Sequence, residues 1–170
     1  LIIDENRGRP LRIADLGTGS GCIAVTLARE LPQCRVEAWE LSPEALAIAR
    51  RNAELQQVTV DFYQRDILHY DLSQLTPGSL DLIVSNPPYI CRSESRAMSE
   101  NVLGYEPHEA LFVPNETPLL FYDKIARDGL TLLSPGGRLY FEINEAQGPA
   151  CARMLEHQGY EQIRIIHDLY

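Results

Sequence analysis

The sequence has little of what would place it in a membrane or on a nucleic acid. No apolar run approaches the roughly 20 residues that a membrane-spanning helix needs. Basic residues are few, 15 against 24 acidic ones, and the net charge is −9. This balance disfavours a nucleic-acid substrate without excluding one, because phosphate binding needs a basic face that can be local. We therefore expect no membrane partner and no direct nucleic-acid partner.

Cysteine and histidine are also scarce, and neither shows a ligand pattern. The four cysteines lack C-x-x-C spacing, and the four histidines are scattered along the chain. Because this spacing fits neither a metal site nor a disulfide framework, we expect no metal and reduced thiols in a cytoplasmic protein. The cysteines are Cys22, Cys34, Cys91 and Cys151.

The 170 residues are enough for one domain with a proper core. Apolar runs of strand length alternate with segments of helical spacing, which predicts strand, helix, strand, helix, strand, strand, helix, strand, helix, strand. The predicted spans are 11–16, 22–31, 35–40, 43–54, 58–64, 79–85, 118–133, 137–143, 147–158 and 160–167. Such alternation predicts a single α/β domain over residues 1–170, with a mostly parallel, Rossmann-like sheet and helices on both faces.

One predicted strand ends in an unusual way, with Asn86-Pro87-Pro88-Tyr89. Proline fixes φ and has no N–H, and the residue before it is held extended, so this strand end is stiff. It presents an amide side chain, carbonyls without neighbouring donors and an aromatic ring. This set can hold a planar amide or amino group, with acceptors for both N–H bonds and a ring over its face. A turn that merely ends a strand also explains the prolines, so the interpretation depends on a second motif.

That motif is a glycine-rich loop, Asp15-Leu16-Gly17-Thr18-Gly19-Ser20-Gly21, between a predicted strand and a predicted helix. Glycine there lets the backbone take unusual angles and lets a ligand approach closely. The spacing is G-x-G-x-G, whereas dinucleotide-binding loops have G-x-G-x-x-G. The acid that precedes the loop suits a cationic ligand better than a pyrophosphate, which indicates S-adenosylmethionine.

Four polar residues close predicted strands: Asp15, Glu40, Asp66 and Asn86. Ligands of open α/β sheets bind beyond the carboxyl ends of the strands, so we expect the four to line one crevice. Each one alone is better explained as a turn former or a cap, but the four together with the glycines indicate a binding site. Trp39, which precedes Glu40, is interpreted as a core strand residue.

Each residue of this crevice can be matched to a part of S-adenosylmethionine. Asp15 balances the ammonium, directly or by ordering the loop, and Glu40 accepts from both ribose hydroxyls. Asp66 accepts from the adenine amino group, and Ile67 covers the adenine ring. Asn86 is predicted to contact cofactor and substrate alike. The loop residues predicted to lie against the methionine part are Gly17, Thr18, Gly19 and Gly21.

The motifs together resemble one family, the glutamine N5-methyltransferases that modify peptide-chain release factors (the HemK/PrmC family). The matching segments are DLGTGSGCIA from Asp15, WELSPEALAIARRNA from Trp39, QRDIL from Gln64, DLIVSNPPYI from Asp81, YEPHEALF from Tyr105 and, more weakly, LLSPGGRLYFEI from Leu132. They cover nearly the whole chain. Asn-Pro-Pro-Tyr narrows the choice to enzymes that methylate nitrogen, and the Tyr-Glu-Pro segment is the most specific to this family.

The resemblance implies a class I methyltransferase domain that methylates the glutamine of the Gly-Gly-Gln motif in release factors. S-adenosyl-L-homocysteine is the implied product, and we expect a monomer. The Asn86 side-chain oxygen and the Pro87 carbonyl would accept the two N–H bonds of the amide, and Tyr89 would pack on its face. Pro88 stiffens the same substrate site, and no general base is predicted. The irregular segment 90–117, with Tyr105-Glu106-Pro107, is predicted to be a substrate-side lid.

Three alternatives remain open. A ribosomal-protein glutamine methyltransferase shares nearly every motif. A DNA adenine methyltransferase uses the same proline motif but needs base flipping and a basic cleft. A non-enzymatic cofactor-binding module would keep the glycine loop without needing Asn86.

The resemblance is incomplete in two places. The family carries an N-terminal helical domain that helps dock the release factor, then an Arg-Pro-x-Thr-Glu segment, and this chain starts after both. The common methyltransferase sheet also has an antiparallel strand between its fifth and sixth strands, and this chain stops at Tyr170, just after the predicted sixth. We therefore expect the chain to bind cofactor better than substrate, and to be less stable than the parent protein.

Overall fold

The computed structural model of the chain describes residues 1–88, 90–91, 112–113 and 117–167. It forms two compact units. The first unit is Leu1–Asn86 with Asp128–Phe141, and the second unit is Pro87–Arg127 with Glu142–Tyr170. The single catalytic domain over residues 1–170 stays a prediction.

The described residues contain seven strands and five α-helices. The strands are β1 (Arg12–Leu16), β2 (Arg35–Glu40), β3 (Asp61–Gln64), β4 (Leu80–Ser85), β5 (Ile90–Cys91), β6 (Phe112–Val113) and β7 (Leu133–Phe141). The helices are α1 (Ile2–Asn6), α2 (Cys22–Glu30), α3 (Pro43–Leu55), α4 (Leu120–Leu132) and α5 (Gly148–Gln158). Short 3₁₀ turns lie at Leu72–Gln74 and Glu145–Gln147.

The first unit is built on a parallel sheet of five strands, in the order β3-β2-β1-β4-β7. The chain runs from β1 to β2 and β3 on one side and returns to β4 and β7 on the other. All residues of β1 after Arg12 are buried in succession, where a half-exposed strand would alternate. Burial without alternation means that both faces of the sheet are covered, as in doubly wound folds. The α/β class predicted from the sequence is confirmed.

Helices α2 and α3 follow from local sequence signals. Helix α3 is capped by Ser42, whose Oγ accepts a hydrogen bond from the Ala45 N–H at 3.1 Å, and Pro43 is its first residue. Serine at the cap and proline just inside it are the expected start signals. Helix α2 buries its apolar stripe in the core cluster of the first unit, beside strand residues such as Ile13 and Leu82.

The predicted spans leave residues 134–136 as a break between a helix and a strand, and this break is wrong, because β7 begins directly after α4. Leu80 pairs with Leu133, but Leu82 pairs with Arg138, so β7 bulges over Ser134-Pro135-Gly136-Gly137. Gly136 has φ +77°, a conformation that glycine adopts without strain. The turn residues are therefore accommodated within the strand as a bulge.

The predicted strand at 160–167 is also wrong, since residues 161–167 are described and form no strand. Ile165 and Ile166 are 42% and 61% exposed. Strand propensity expresses packing on a half-buried surface, and an apolar pattern that is not buried does not make a strand by itself. In the predicted lid, β5 and β6 pair in parallel. Tyr105, Glu106 and Pro107 lie outside the described residues.

Candidate cofactor site

The carboxyl ends of four strands of the first unit lie side by side. Leu16 of β1 pairs with Trp39 of β2 on one side and with Ser85 of β4 on the other, and Glu40 pairs with Gln64 of β3. The residues that follow these pairs therefore leave the sheet at one edge, next to the point where the strand order reverses. This is where open α/β sheets bind their ligands.

The glycines of the loop have different environments. Gly17, Gly19 and Gly21 all have positive φ, at +74°, +55° and +84°. A Cβ added to Gly21 would lie 2.9 Å from the Cβ of Ala49, so this glycine is required by the packing of α3 against the start of α2. A Cβ added to Gly19 would meet nothing within 4 Å. Gly19 thus faces open space, which fits the close approach of a ligand.

Asp15 lies under the loop and orders it. Its side chain is 1% exposed, and Oδ2 accepts from the Thr18 hydroxyl at 2.5 Å and from the Ala24 N–H at 3.1 Å. Burial raises the pKa of Asp15 to about 6, although these two hydrogen bonds act to lower it. Oδ1 is buried and has no hydrogen-bond partner among the described residues. An anion with a spare acceptor under a glycine loop fits a cationic group of a ligand.

Glu40 is tied to the loop by its carboxylate. Oε2 accepts from the Gly19 N–H at 2.9 Å, and Oε1 accepts from the N–H groups of Leu41 and Ser42 at 2.9 and 3.0 Å. A carboxylate offers about four acceptor positions, so one is left for a ligand hydroxyl. If Glu40 accepts from both ribose hydroxyls, as predicted, one of them must replace the hydrogen bond from the Gly19 N–H.

Asp66 and Ile67 lie in the turn after β3. Oδ1 of Asp66 accepts from the Leu68 N–H at 2.8 Å, and Oδ2 lies 2.8 Å from Nδ1 of His69. Burial raises the pKa of Asp66, but the bonds from His69 and Leu68 outweigh it and hold the pKa below its usual range. Asp66 is therefore a fixed acceptor at neutral pH. The Cδ1 of Ile67, a residue 7% exposed, lies 3.5 Å from the Cβ position of Gly17. This distance brings the turn next to the glycine loop.

Asn86 follows β4 and is exposed. Its position is fixed by Ser85, which is fully buried and donates a hydrogen bond from Oγ to the Leu16 carbonyl at 2.6 Å. Because Leu16 directly precedes Gly17, the amide residue and the glycine loop start from adjacent points of the sheet. Pro87 is buried and Pro88 half-buried in the second unit, and Tyr89 lies outside the described residues.

Sequence reasoning missed the supporting role of three residues. Ser85 ends an otherwise apolar strand, and a polar residue at that position is a usable signal. The Trp39 carbonyl accepts from the N–H groups of Gly17 and Thr18 at 2.9 and 3.0 Å, which no sequence pattern shows. Arg65 stacks on the Trp39 ring with 4.2 Å between its Cζ and the ring centroid. The expectation that Trp39 belongs to the core agrees with its 1% exposure.

The residues present fit S-adenosylmethionine. The glycine loop is open at Gly19, and the buried Asp15 carboxylate keeps an unused oxygen. Glu40 and Asp66 bring two further acids to the same edge, where they can accept from ribose hydroxyls and from an amino group but would repel a phosphate. Within the described ranges, no group of His, Cys, Asp and Glu could hold a metal ion, and no helix has the length and apolar character to cross a membrane.

The sheet order and the glycine loop at its switch point define the class, a Rossmann-like class I methyltransferase fold. The chain belongs to the methyltransferase small domain family, whose model matches residues 3–104.

Two relatives support the resemblance drawn from the motifs. A release factor glutamine methyltransferase of Bacteroides thetaiotaomicron is 50% identical over 170 residues, which is 100% of this chain and 60% of that protein. The protein of the same name in Flavobacterium psychrophilum is 45% identical over 94% of this chain and 55% of its own length. The family resemblance is thereby confirmed. The chain spans little more than half the length of these relatives.

Solved structures agree on the fold. A methyltransferase from Pyrococcus furiosus superposes with a TM-score of 0.70 at 21% identity, over 99% of this chain and 75% of that one. Ribosomal protein L11 methylase from Lactobacillus delbrueckii subsp. bulgaricus gives 0.65 at 21% identity, over 98% and 69%. At this identity the likeness concerns the fold alone.

Proposed function

We propose that this chain is the catalytic domain of a protein methyltransferase that uses S-adenosylmethionine. Its acceptor is the side-chain amide nitrogen of the glutamine in the Gly-Gly-Gln motif of peptide chain release factors. The observation that carries the proposal is the pairing and hydrogen bond of Ser85 with Leu16. Because Asn86 follows Ser85 and the glycine loop follows Leu16, the Asn86 amide leaves the sheet beside the loop. Two relatives that are named release factor glutamine methyltransferase match over 94% or more of the chain. The protein would act in the cytoplasm.

The first task of the chain is to hold the cofactor. Gly17 and Gly19 give the backbone access to the methionine part, and Asp15 balances its ammonium from below. Glu40 accepts from the ribose, Asp66 accepts from the adenine amino group, and Ile67 covers the ring. Further contacts would come from Thr18, Gly21 and Asn86. S-adenosylmethionine, when bound, supplies a methyl group on a sulfonium, which is a good leaving group, and S-adenosylhomocysteine is the product.

The second task is to position a poor nucleophile. An amide nitrogen reacts slowly because its lone pair is delocalised, and holding it in line can lower the barrier by several kcal/mol. The Asn86 side-chain oxygen and the Pro87 carbonyl would accept its two N–H bonds and favour the pyramidal nitrogen of the transition state. Pro88 stiffens this strand end, and Tyr89 would pack on the amide plane. No general base is needed before transfer, since the proton is lost to water afterwards.

The test is labelled-methyl transfer by the natural full-length protein. The acceptors are a class-one release factor, its Gly-Gly-Gln→Gly-Gly-Asn variant and duplex DNA. We expect label on the first acceptor only. Label on DNA would overturn the proposal in favour of adenine methylation, and no label on any acceptor would favour a ribosomal-protein substrate or a binding module.

Asn86→Ala separates an enzyme from a binding module. We expect a loss of transfer of about 100-fold or more with cofactor affinity within about threefold, because the Asn86 amide holds the acceptor but makes only one of several cofactor contacts. Glu44→Ala, a change at an exposed residue of α3, serves as the control. Unchanged transfer in Asn86→Ala would contradict the assigned role.

A further inference from the structure

The turn that carries Asp66 is held in place from several directions. The N–H groups of His69 and Tyr70 both donate to the Asp66 carbonyl, at 3.3 and 3.0 Å. The Arg65 N–H donates to the Glu40 carbonyl at 2.9 Å, so the turn starts from the residue at the end of β2. These bonds define the path of the turn, and side chains that pack against it add further support.

That support comes from Arg65, whose guanidinium lies over aromatic rings. Its Cζ is 4.2 Å from the ring centroid of Trp39, 5.3 Å from that of Tyr63 and 5.8 Å from that of Tyr70. Trp39 and Tyr63 are register partners on neighbouring strands, so they offer one continuous surface. A planar cation stacks on such rings within about 6 Å, and arginine does so better than lysine.

Trp39 links this stack to the rest of the site. Its ring is 1% exposed and donates from Nε1 to Glu37 at 2.9 Å, while its carbonyl accepts from the glycine loop. The turn that carries Asp66 and the glycine loop are therefore attached to the side chain and to the backbone of one buried residue, Trp39. A shift of the Arg65 stack would move the turn relative to the loop.

Tyr70 fixes the far end of the same turn. Its ring meets the Trp39 ring edge to face, with centroids 5.2 Å apart and planes at 74°. Its hydroxyl donates to the Asp128 carboxylate at 2.5 Å. The turn from Asp66 to Tyr70 is thus attached at one end through Arg65 and at the other through Tyr70.

We propose that Arg65 is a positioning residue for adenine recognition, because its stack on Trp39, Tyr63 and Tyr70 sets where the Asp66 carboxylate meets the adenine amino group. This inference rests on the proposed function. Arg65 touches neither the cofactor nor the substrate in this role. Arg65 contributes to specificity for the adenine ring. The methionine half of the cofactor is held by the glycine loop, so its binding does not depend on Arg65.

The experiment compares two ligands of the chain by calorimetry. S-adenosylhomocysteine carries the adenine amino group, and S-inosylhomocysteine has a carbonyl oxygen in its place, which an acid repels. We expect the unsubstituted chain to prefer the adenine ligand. Arg65→Met keeps the length of the side chain and removes the cation. We expect it to weaken adenine binding about tenfold and leave inosine binding within about twofold.

The chain offers a matched control in Arg50, whose Cζ lies 5.2 Å from the Phe62 ring centroid and whose guanidinium donates to the Phe62 carbonyl at 3.2 Å. Arg50→Met removes an arginine–aromatic stack away from the turn and should leave the ligand preference unchanged. Arg65→Lys keeps the charge without the planar group and should lose part of the preference, about threefold. If Arg65→Met does not fold, the lysine variant decides.

The outcomes separate this inference from the proposed function. Equal loss for both ligands in Arg65→Met would show a purely structural role and overturn the inference, as would full preference in Arg65→Lys. If the unsubstituted chain prefers adenine and the Arg65 variants keep that preference undiminished, only the inference fails. If the unsubstituted chain binds neither ligand, the proposed function fails, and the inference fails with it.

Discussion

The acids at the amino ends of the parallel strands (the amino edge) and those at the carboxyl ends (the carboxyl edge) have opposite partners. At the amino edge, Asp81 accepts from the Arg12 guanidinium at 2.9 and 2.8 Å, and Asp61 is paired with Arg35 at 2.9 Å. At the carboxyl edge, Asp15 and Glu40 are held by backbone N–H groups and a hydroxyl. The amino edge neutralises its charges internally, whereas the carboxyl edge keeps negative charge oriented and available. This difference teaches where a cationic ligand belongs.

The pKa values show the same contrast. The Arg12 guanidinium holds the pKa of Asp81 well below its usual range, although burial acts against it. Burial raises the pKa of Asp15, and the nearby Glu40 carboxylate adds to this rise. The fold therefore stabilises the charged form of Asp81 and destabilises the charged form of Asp15. A carboxylate whose charged form is destabilised by burial beside a ligand-binding loop is typical of a functional site.

The largest expected effect is on Glu40, with Asp81 as its counterpart. Glu40→Gln should weaken S-adenosylhomocysteine binding about 100-fold, because hydrogen bonds to a charged group are lost at the ribose. Asp81→Asn should leave this affinity unchanged and lower stability by about 1 kcal/mol, since its ion pair is partly exposed. Calorimetry and urea denaturation measure the two effects. A loss of affinity in Asp81→Asn would erase the contrast between the edges.

Asp15→Asn should change the pH dependence of stability. The folded pKa of about 6 lies above the ordinary value of 3.8, so the folded state binds more protons between the two values. Wild-type stability therefore falls as pH rises from about 4 to 7, and the variant lacks this fall. Relative to wild type, Asp15→Asn should gain about 1–3 kcal/mol over this window in urea denaturation. A constant difference between the two proteins would show that Asp15 does not carry the buried charge.

The smallest expected effect is the opposite pH dependence of stability, which comes from Asp81 at the amino edge. Because the folded pKa of Asp81 is lowered, its contribution is present above about pH 4 and is lost as pH falls further. The stability advantage of wild type over Asp81→Asn, about 1 kcal/mol, should shrink below pH 4 and also in high salt. An advantage that grows on acidification would contradict the assigned pairing.

The strands and the first helices could be predicted because their signals are local. Buried strands read as continuous apolar runs, and the start of α3 at Ser42 and Pro43 needs no partner from elsewhere in the chain. The strand ends with Asp15, Glu40 and Asn86 followed from the same runs. The bulge of β7 and the absence of the predicted strand at 160–167 could not be predicted, because pairing and burial depend on neighbours that are distant in sequence.

The sequence by itself determined the class of the fold, the glycine loop and the acids that close the strands, since periodicity and turn chemistry are properties of adjacent residues. Only the tertiary structure decided how those residues divide the work. It assigned Gly21 to helix packing and left Gly19 open, although both belong to the same motif. It also placed Arg65 on Trp39 and buried Asp15. Distances between segments and the exclusion of water arise when the chain packs, and no local pattern encodes them.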